Sequence, residues 1–546
     1  MNEPRPPPLR VRDRGALERA ADALAEARPR AVGVALLLED ADDLPRRPDA
    51  TPAGAPGRPG DRGARAAGDP DGRGRRPHRP RPARPRPHGR ARPYVVVHDA
   101  HQVLGVLGRP ERGALQPPRV GCTLTAATLL AEGADRRRDD RELAPLVRDR
   151  LGRELPGGLT HGLLDRALRD RSAEVAAAHA EALLPLMQAM TPALRELRLA
   201  RLFELECSLL PSVLAMEDAG VAVDAVGLQR LVDGWRRERT GATDPARIAR
   251  LDKLITTLGH WPRDYVELDG RIRCQLHPLA TDSGRFACQS PNLQQVPAEH
   301  TAPGVRGCFI APPGRRLVIA DYAQIELRVA AHLAGCRALR QVFVDGRDVH
   351  RATAANLSRK PESEVSDHER KLAKAVNFGF LFGMGARRFQ EYAKGSYGLD
   401  LDLPAAEDAR EAFFRGFPGI AAWHRKVGML AGKGKREDIV VHTVLGRRRR
   451  FPAGEFSFNA ALNIPVQGTA AEGFKLAMIE LHPALARLDG KGILCVHDEY
   501  LAEVPEARAE EARELVQRTM EAAMAKVVPS VPIVAEAHVA GSWAEK

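Results

Sequence analysis

Short apolar runs that end in carboxylates punctuate the second half of the chain. Leu317 to Ala320 is one such run, closed by Asp321, and the pattern predicts a buried strand. From Gly492 to Pro505, two apolar runs flank His497-Asp498-Glu499, which predicts a β-hairpin with acids at its tip. Upstream, Tyr94 to Val103 opens like a buried strand, and Leu163 to Leu199 is Ala/Leu-rich and predicts helices. The segment from Phe203 predicts a helix ended by Gly220, with charged helical segments following to about Pro262. After Arg271, strand-like runs alternate with longer helices, and no internal repeat is present. Within Arg370 to Gly385, residues Arg370, Lys374, Phe378 and Phe382 recur every four positions. On a helix each such step drifts by only about 40°, so the four share one broad face.

Composition changes this picture at one place. Ala50 to Pro93 contains only Ala, Thr, Pro, Gly, Asp, Arg and His, and its twelve arginines and three aspartates supply +9 of the chain's net charge of +12. With no Leu, Ile, Val or aromatic residue, it cannot offset its ordering entropy and is expected to be disordered. It reads either as a basic arm for nucleic acid or as a segment without function, a frame error in a GC-rich gene included. The remainder carries +3, so overall charge says little about partners. Among 546 residues there is no apolar run of about 18, and the N-terminus lacks an apolar signal core. Seven scattered cysteines without a C-x-x-C pair argue against a disulfide framework or zinc site and fit a reducing cytoplasm.

The chemistry follows from the carboxylates. Magnesium takes oxygen ligands, usually one or two protein carboxylates, and completes its shell with water and phosphate. Two strand-end aspartates could hold two such ions about 4 Å apart, the arrangement of phosphoryl-transfer sites. Two cations followed by two rings on one helix face suit a nucleoside triphosphate. Taken singly, Asp321 also suits a turn or helix cap, the hairpin tip a solvated turn, and the helix an amphipathic element with a core-facing aromatic end.

Together, DYAQIELR (from Asp321), RKLAKAVNFGFLFG (from Arg370) and VHDE (from Val496) resemble, in order and wording, the three signatures of the family A DNA polymerases. TDSGRFACQSPNLQQVP, VDGRDVH and NIPVQGTAAEGFK support the likeness, which covers about residues 200–546. The resemblance implies an α+β multidomain fold, a right-hand polymerase of thumb, palm and fingers preceded by a partial ribonuclease-H-like α/β domain. Its implied boundaries are 1–93 low-complexity, 94–199 exonuclease-like, 200–270 a shortened thumb, 271–337 with 441–546 the palm, and 338–440 the fingers. Asp321 and Asp498, with the Tyr322 backbone carbonyl, would hold two Mg2+ ions. Arg370 and Lys374 would bind the triphosphate, with Lys374 a proton donor to pyrophosphate and Gln324 and His350 nearby. Glu326 would exclude a 2′-hydroxyl, Phe378 would pack on the deoxyribose and Phe382 would complete the nucleotide pocket. Arg285, Asn292, Gln294, Asn463, Gln467, His497 and Glu499 would contact DNA. The implied partners are primed DNA and deoxynucleoside triphosphates, for a monomer in the cytoplasm without membrane association.

Departures from the family pattern carry expectations of their own. Phe382 stands where Tyr is usual and Ala323 where Ser is usual. A basic residue is missing near Asn459, where the chain also looks shortened. The shortened thumb implies low processivity. In the amino-terminal part, Tyr94 to Leu107 and Glu174 to Leu184 faintly resemble exonuclease motifs. Asp99 stands for an Asn, Val103 for an Asp, and Val175 and His179 for a Tyr and an Asp; Glu39 and Asp40 lack the Asp-x-Glu spacing expected near Val32. An aliphatic residue cannot ligate magnesium, so loss of 3′–5′ proofreading is expected. The length of the chain leads to the separate expectation of no upstream 5′-nuclease. A single-subunit RNA polymerase and a non-catalytic DNA-binding relic are the alternative readings. Glu326 opposes the first, and the intact Asp321, Asp498, Arg370 and Lys374 oppose the second.

Overall fold

A computed structural model of the chain describes residues 36–38, 94–101, 119–133, 141–156 and 166–545. The Ala50–Pro93 tract, Glu39, Asp40 and Val103 lie outside the described residues.

The centre is a four-stranded antiparallel sheet in the order Lys491–Val496, Glu499–Pro505, Arg315–Tyr322, Ala535–Ala540. Leu317, Val318, Ile319 and Ala320 are all fully buried, so both faces of the central strand are covered, which explains a continuous apolar run in place of alternation. The Ala509–Ala525 helix packs on this sheet through Ala512, Val516, Met520 and Ala523, a spacing of three and four that puts one stripe inward. Each large side chain buried in that stripe contributes roughly 1.5–3 kcal/mol. The Phe458–Ala486 helix lies against it in turn, and the Ala200–Ala219 helix closes the far side on the Lys491–Val496 strand. That last helix ends at Gly220, as its sequence predicts.

Two helices matter for the site. Val349–Ser358 is capped by Asp348, whose carboxylate accepts the backbone N–H groups of His350 and Arg351 at 2.8 and 3.0 Å. Asp367–Leu381 starts with a reciprocal box between Ser366 and Glu369. The two pack together, and the second also touches the Ile325–Leu333 helix that follows Asp321.

In the amino-terminal part, Leu36–Leu38 pairs antiparallel with Tyr94–Val97, which pairs parallel with Arg119–Cys122. Of the stretch expected to be helical, the described residues form one long helix, Arg166–Glu196. The seven cysteines are free and buried. No helix among the described residues is long and apolar enough to cross a membrane.

Candidate active site

Asp321 stands opposite Glu499 in the antiparallel register, and Val496 opposite Glu499 on the other side, so the hairpin turn is His497-Asp498 alone. Two acids from chain positions 177 residues apart (498 − 321) thereby meet at one end of the sheet. Asp498 is pushed up to about 7, first by burial and then by the charge of Asp321. His497, at the turn, takes φ 58, and Gln324, directly after the Asp321 strand, takes φ 50; both are non-glycine residues in the left-handed region. Such backbone concentrates where surrounding structure over-determines a site.

Two further acids near the pair are each met by an arginine. Glu326, in the first turn of the helix after Gln324, is held by Arg285 at 2.5 Å. Glu499 is 4% exposed and lies 3.7 Å from Arg306, whose guanidinium also stacks 4.4 Å from the Trp543 ring centre. The Tyr322 hydroxyl donates to the Met520 carbonyl at 2.7 Å, so this side-chain oxygen is engaged within the core.

On the Asp367–Leu381 helix, Lys374 is exposed and Arg370 and Phe378 are half-buried, as is Phe382, its C-cap. The intervening Ala373, Ala375, Val376, Gly379, Phe380 and Leu381 are buried. The predicted face is therefore the accessible one, and the ring sent to the core is Phe380. Arg370 is aimed by Asp348, which accepts from its Nε at 2.8 Å. His350 is 4% exposed, its ring 6.1 Å from that of Phe378. Burial and the nearby Arg370 and Lys374 charges depress its pKa to about 4, so it is neutral at pH 7.

The Phe458–Ala486 helix presents Asn459, Asn463 and Gln467 at steps of four on its accessible side, amid buried neighbours. Asn459, where a basic residue is missing, donates to the Phe382 carbonyl at 2.7 Å. Next to Gln467, a Cβ on Gly468 would fall 2.7 Å from the Ser283 carbonyl, so glycine lets the Arg285 loop rest on this helix. Within that loop, Asn292 accepts from the Gln294 backbone N–H at 3.1 Å, and the Gln294 side chain donates to the Cys495 carbonyl at 3.3 Å. Asn292 thus shapes the loop, and Gln294 pins it to the Asp498 hairpin.

Sequence reading missed four supporting residues. Asp348 holds Arg370, Asn377 holds His350, Arg306 holds Glu499, and Arg328 donates to the Ala323 and Pro532 carbonyls at 2.7 and 2.6 Å, fixing the turn after Asp321. Asp348, an acid directly before a helix, was visible as an N-cap signal. The other three have no local signature.

No group of three or more His, Cys, Asp or Glu that could hold a metal occurs among the described residues. Asp321 and Asp498 form a pair, which is what magnesium requires of a protein when phosphate and water supply the remaining ligands. Burial, and after it the charge of Asp321, raises the pKa of Asp498, and a divalent cation would offset both, so these residues fit such an ion. In the amino-terminal part, Asp99 takes φ 51 and His179 is buried, with its pKa lowered by desolvation. Val175 lies within the Arg166–Glu196 helix.

A family model described as DNA polymerase family A matches residues 214–545. DNA polymerase I of Aquifex aeolicus is 36% identical over 278 residues, covering 50% of this chain and 46% of that protein. DNA polymerase I of Deinococcus radiodurans is 37% identical over 333 residues, covering 57% of this chain and 33% of its own length. The chain thus spans less than half the length of these curated relatives. A solved structure, the POL domain of Pol1 from M. smegmatis in complex with DNA primer-template and dNTP, superposes with a TM-score of 0.71 at 25% identity. The match covers 82% of this chain and 86% of that one.

Proposed function

The chain belongs to the family A DNA polymerases, and from that premise we propose that it adds deoxynucleotides to a primer 3′-hydroxyl on a DNA template, in replication or repair. The observation that carries the proposal is the convergence of Asp321, opposite Glu499 in the register, and Asp498, in the adjoining turn, at one end of the central sheet, with the helix that bears Arg370 and Lys374 packed on the Ile325–Leu333 helix that follows Asp321. Asp321, Asp498 and the Tyr322 carbonyl would hold two Mg2+ ions, which when bound activate the hydroxyl and stabilise the leaving pyrophosphate.

The protein's own groups do the remaining work. Arg370 and Lys374 bind the triphosphate and offset charge developing on its oxygens, with Gln324 and His350 as further contacts and Lys374 donating a proton to pyrophosphate. Glu326, fixed by Arg285, obstructs a 2′-hydroxyl, while Phe378 and Phe382 pack against sugar and base. Asn463, Gln467 and His497 contact primer or template from the accessible side, and Arg285, Asn292, Gln294 and Glu499 shape the same groove. Such contacts follow duplex shape and need not read sequence. We assign 271–337 and 441–546 to the palm, 338–440 to the fingers, 200–270 to a shortened thumb and 94–199 to an exonuclease-like unit without proofreading. The short thumb helices, Ala225–Gly241 and Pro245–Leu258, support low processivity.

Primer extension with Mg2+ tests this reading. Incorporation of dNTP well above NTP is expected. Absence of extension with either, or preference for NTP, overturns it.

A further inference from the structure

His350 and Asn377 sit 27 positions apart on two packed helices, and both are buried. The Asn377 amide nitrogen lies 2.9 Å from His350 Nδ1, and its Oδ1 lies 2.9 Å from the Thr353 hydroxyl. That hydroxyl is also 2.8 Å from the Val349 carbonyl. A hydroxyl has one proton to give. The Val349 carbonyl opens a helix, so the backbone N–H four residues on already serves it. The hydroxyl proton is therefore available to the Asn377 oxygen, which turns the amide N–H toward the imidazole.

We propose that Asn377 is a positioning residue that fixes His350 as the Nε2–H tautomer, so that Nε2 is a neutral hydrogen-bond donor for a phosphate oxygen of the incoming nucleotide. An N–H donor from Asn377 can be accepted only by a ring nitrogen that carries a lone pair, which leaves the ring proton on Nε2. Nε2 makes no hydrogen bond among the described residues. The charged groups that face the ring are Asp348, Arg370 and Lys374. The two cations and the burial disfavour a third positive charge, and Asp348, which favours it, is already engaged by Arg370 and by the helix N-terminus. One neutral donor of fixed tautomer then stands within charge range of two charged donors, Arg370 and Lys374. The phosphate role rests on the polymerase reading above; the tautomer does not.

The experiment uses the full chain labelled with 15N-histidine, and the His350 signals are assigned by their loss in His350→Gln. At pH 7 the nucleotide-free protein should show Nδ1 unprotonated and Nε2 protonated. The reverse pattern, or rapid averaging between tautomers, overturns the proposal whether or not the protein polymerises. Asn377→Asp, which offers only acceptors, should move the proton to Nδ1 or protonate the ring at pH 7, and the apparent KM for dNTP should rise about ten- to a hundredfold. Thr353→Val, which keeps the shape and removes the hydroxyl, should blur the tautomer preference if Asn377→Asp does not fold. Wild-type incorporation with an unchanged KM in a folded Asn377→Asp defeats the phosphate role. Failure of the wild type to incorporate dNTP would defeat the polymerase reading while the NMR result stands by itself.

Discussion

Lys475 donates from its ammonium group to both oxygens of Glu206, at 2.7 and 2.9 Å, with neither side chain exposed to solvent. The pair is part of a larger cluster. Arg447 also donates to Glu206, and Thr443 and the Leu445 N–H bind Glu472 at 2.5 and 3.1 Å. A Cβ on Gly284, at φ 79, would collide with Arg447 Nε at 2.3 Å, so the loop that carries Arg285 rests directly on this cluster. Glu206→Gln leaves two buried cations without their shared carboxylate and should cost about 3–5 kcal/mol. Lys475→Met should cost less, because Arg447 still pairs with Glu206. Urea unfolding of both variants checks the order; a larger loss for Lys475→Met would contradict it.

Residues 447–450 are four consecutive arginines, a run that invites a nucleic-acid reading. The structure pairs them internally. Arg448 and Arg450 both donate to Glu132, the latter at 2.6 Å, Arg449 lies 3.6 Å from Asp282, and Arg447 joins Glu206. Glu132 is 3% exposed, so the amino-terminal part is clamped onto the Arg448–Phe451 strand. Replacing Arg448 and Arg450 together by Gln should lower stability by about 2–3 kcal/mol through the stranded carboxylate. The slope of duplex affinity against salt should stay the same. A slope smaller by about 0.9 for each arginine removed would mark them as phosphate contacts instead.

Phe382 ends the Arg370–Lys374 helix, and its carbonyl is held by Asn459. Phe382→Tyr adds a hydroxyl beside the proposed nucleotide site without disturbing that backbone bond. Synthesis should persist while the spectrum of misincorporations changes. Identical error spectra for the two proteins in a sequencing-based fidelity assay would show that the ring alone matters.

His424 packs behind the same helix, 2.9 Å from the Leu381 carbonyl, and burial lowers its pKa to about 4. The unfolded chain takes up this proton near pH 6.5 and the folded protein only near 4. The contribution is therefore complete above pH 6.5 and falls away on acidification, at about 1.4 kcal/mol per pH unit through that window. His424→Gln should lose this share of the acid slope. Parallel wild-type and variant curves of unfolding midpoint between pH 7 and 4.5 would contradict the assignment.

What could be read from sequence was local. Asp321 and Asp498 were legible because each closes an apolar run, and the Arg370, Lys374, Phe378, Phe382 face because its spacing matches the helical turn. The structure adds that this face is accessible, which the spacing alone left open between ligand and core. The Asn377–His350, Glu132–Arg450 and Lys475–Glu206 contacts join residues 27, 318 and 269 positions apart. No periodicity marks such pairs, because only tertiary packing brings them together. Glu499 shows the converse: a motif residue whose acid lies largely buried and paired with Arg306.

The most direct measurement is Mg2+-dependent single-nucleotide incorporation by wild type, Asp321→Asn and Asp498→Asn, with primer-template affinity measured alongside. Each substitution removes a proposed metal ligand and changes little in shape. The rate should fall by about a thousandfold or more in both variants, with DNA binding retained. Incorporation within about tenfold of wild type by either variant, while it still binds DNA, would contradict a cation site shared by the two aspartates.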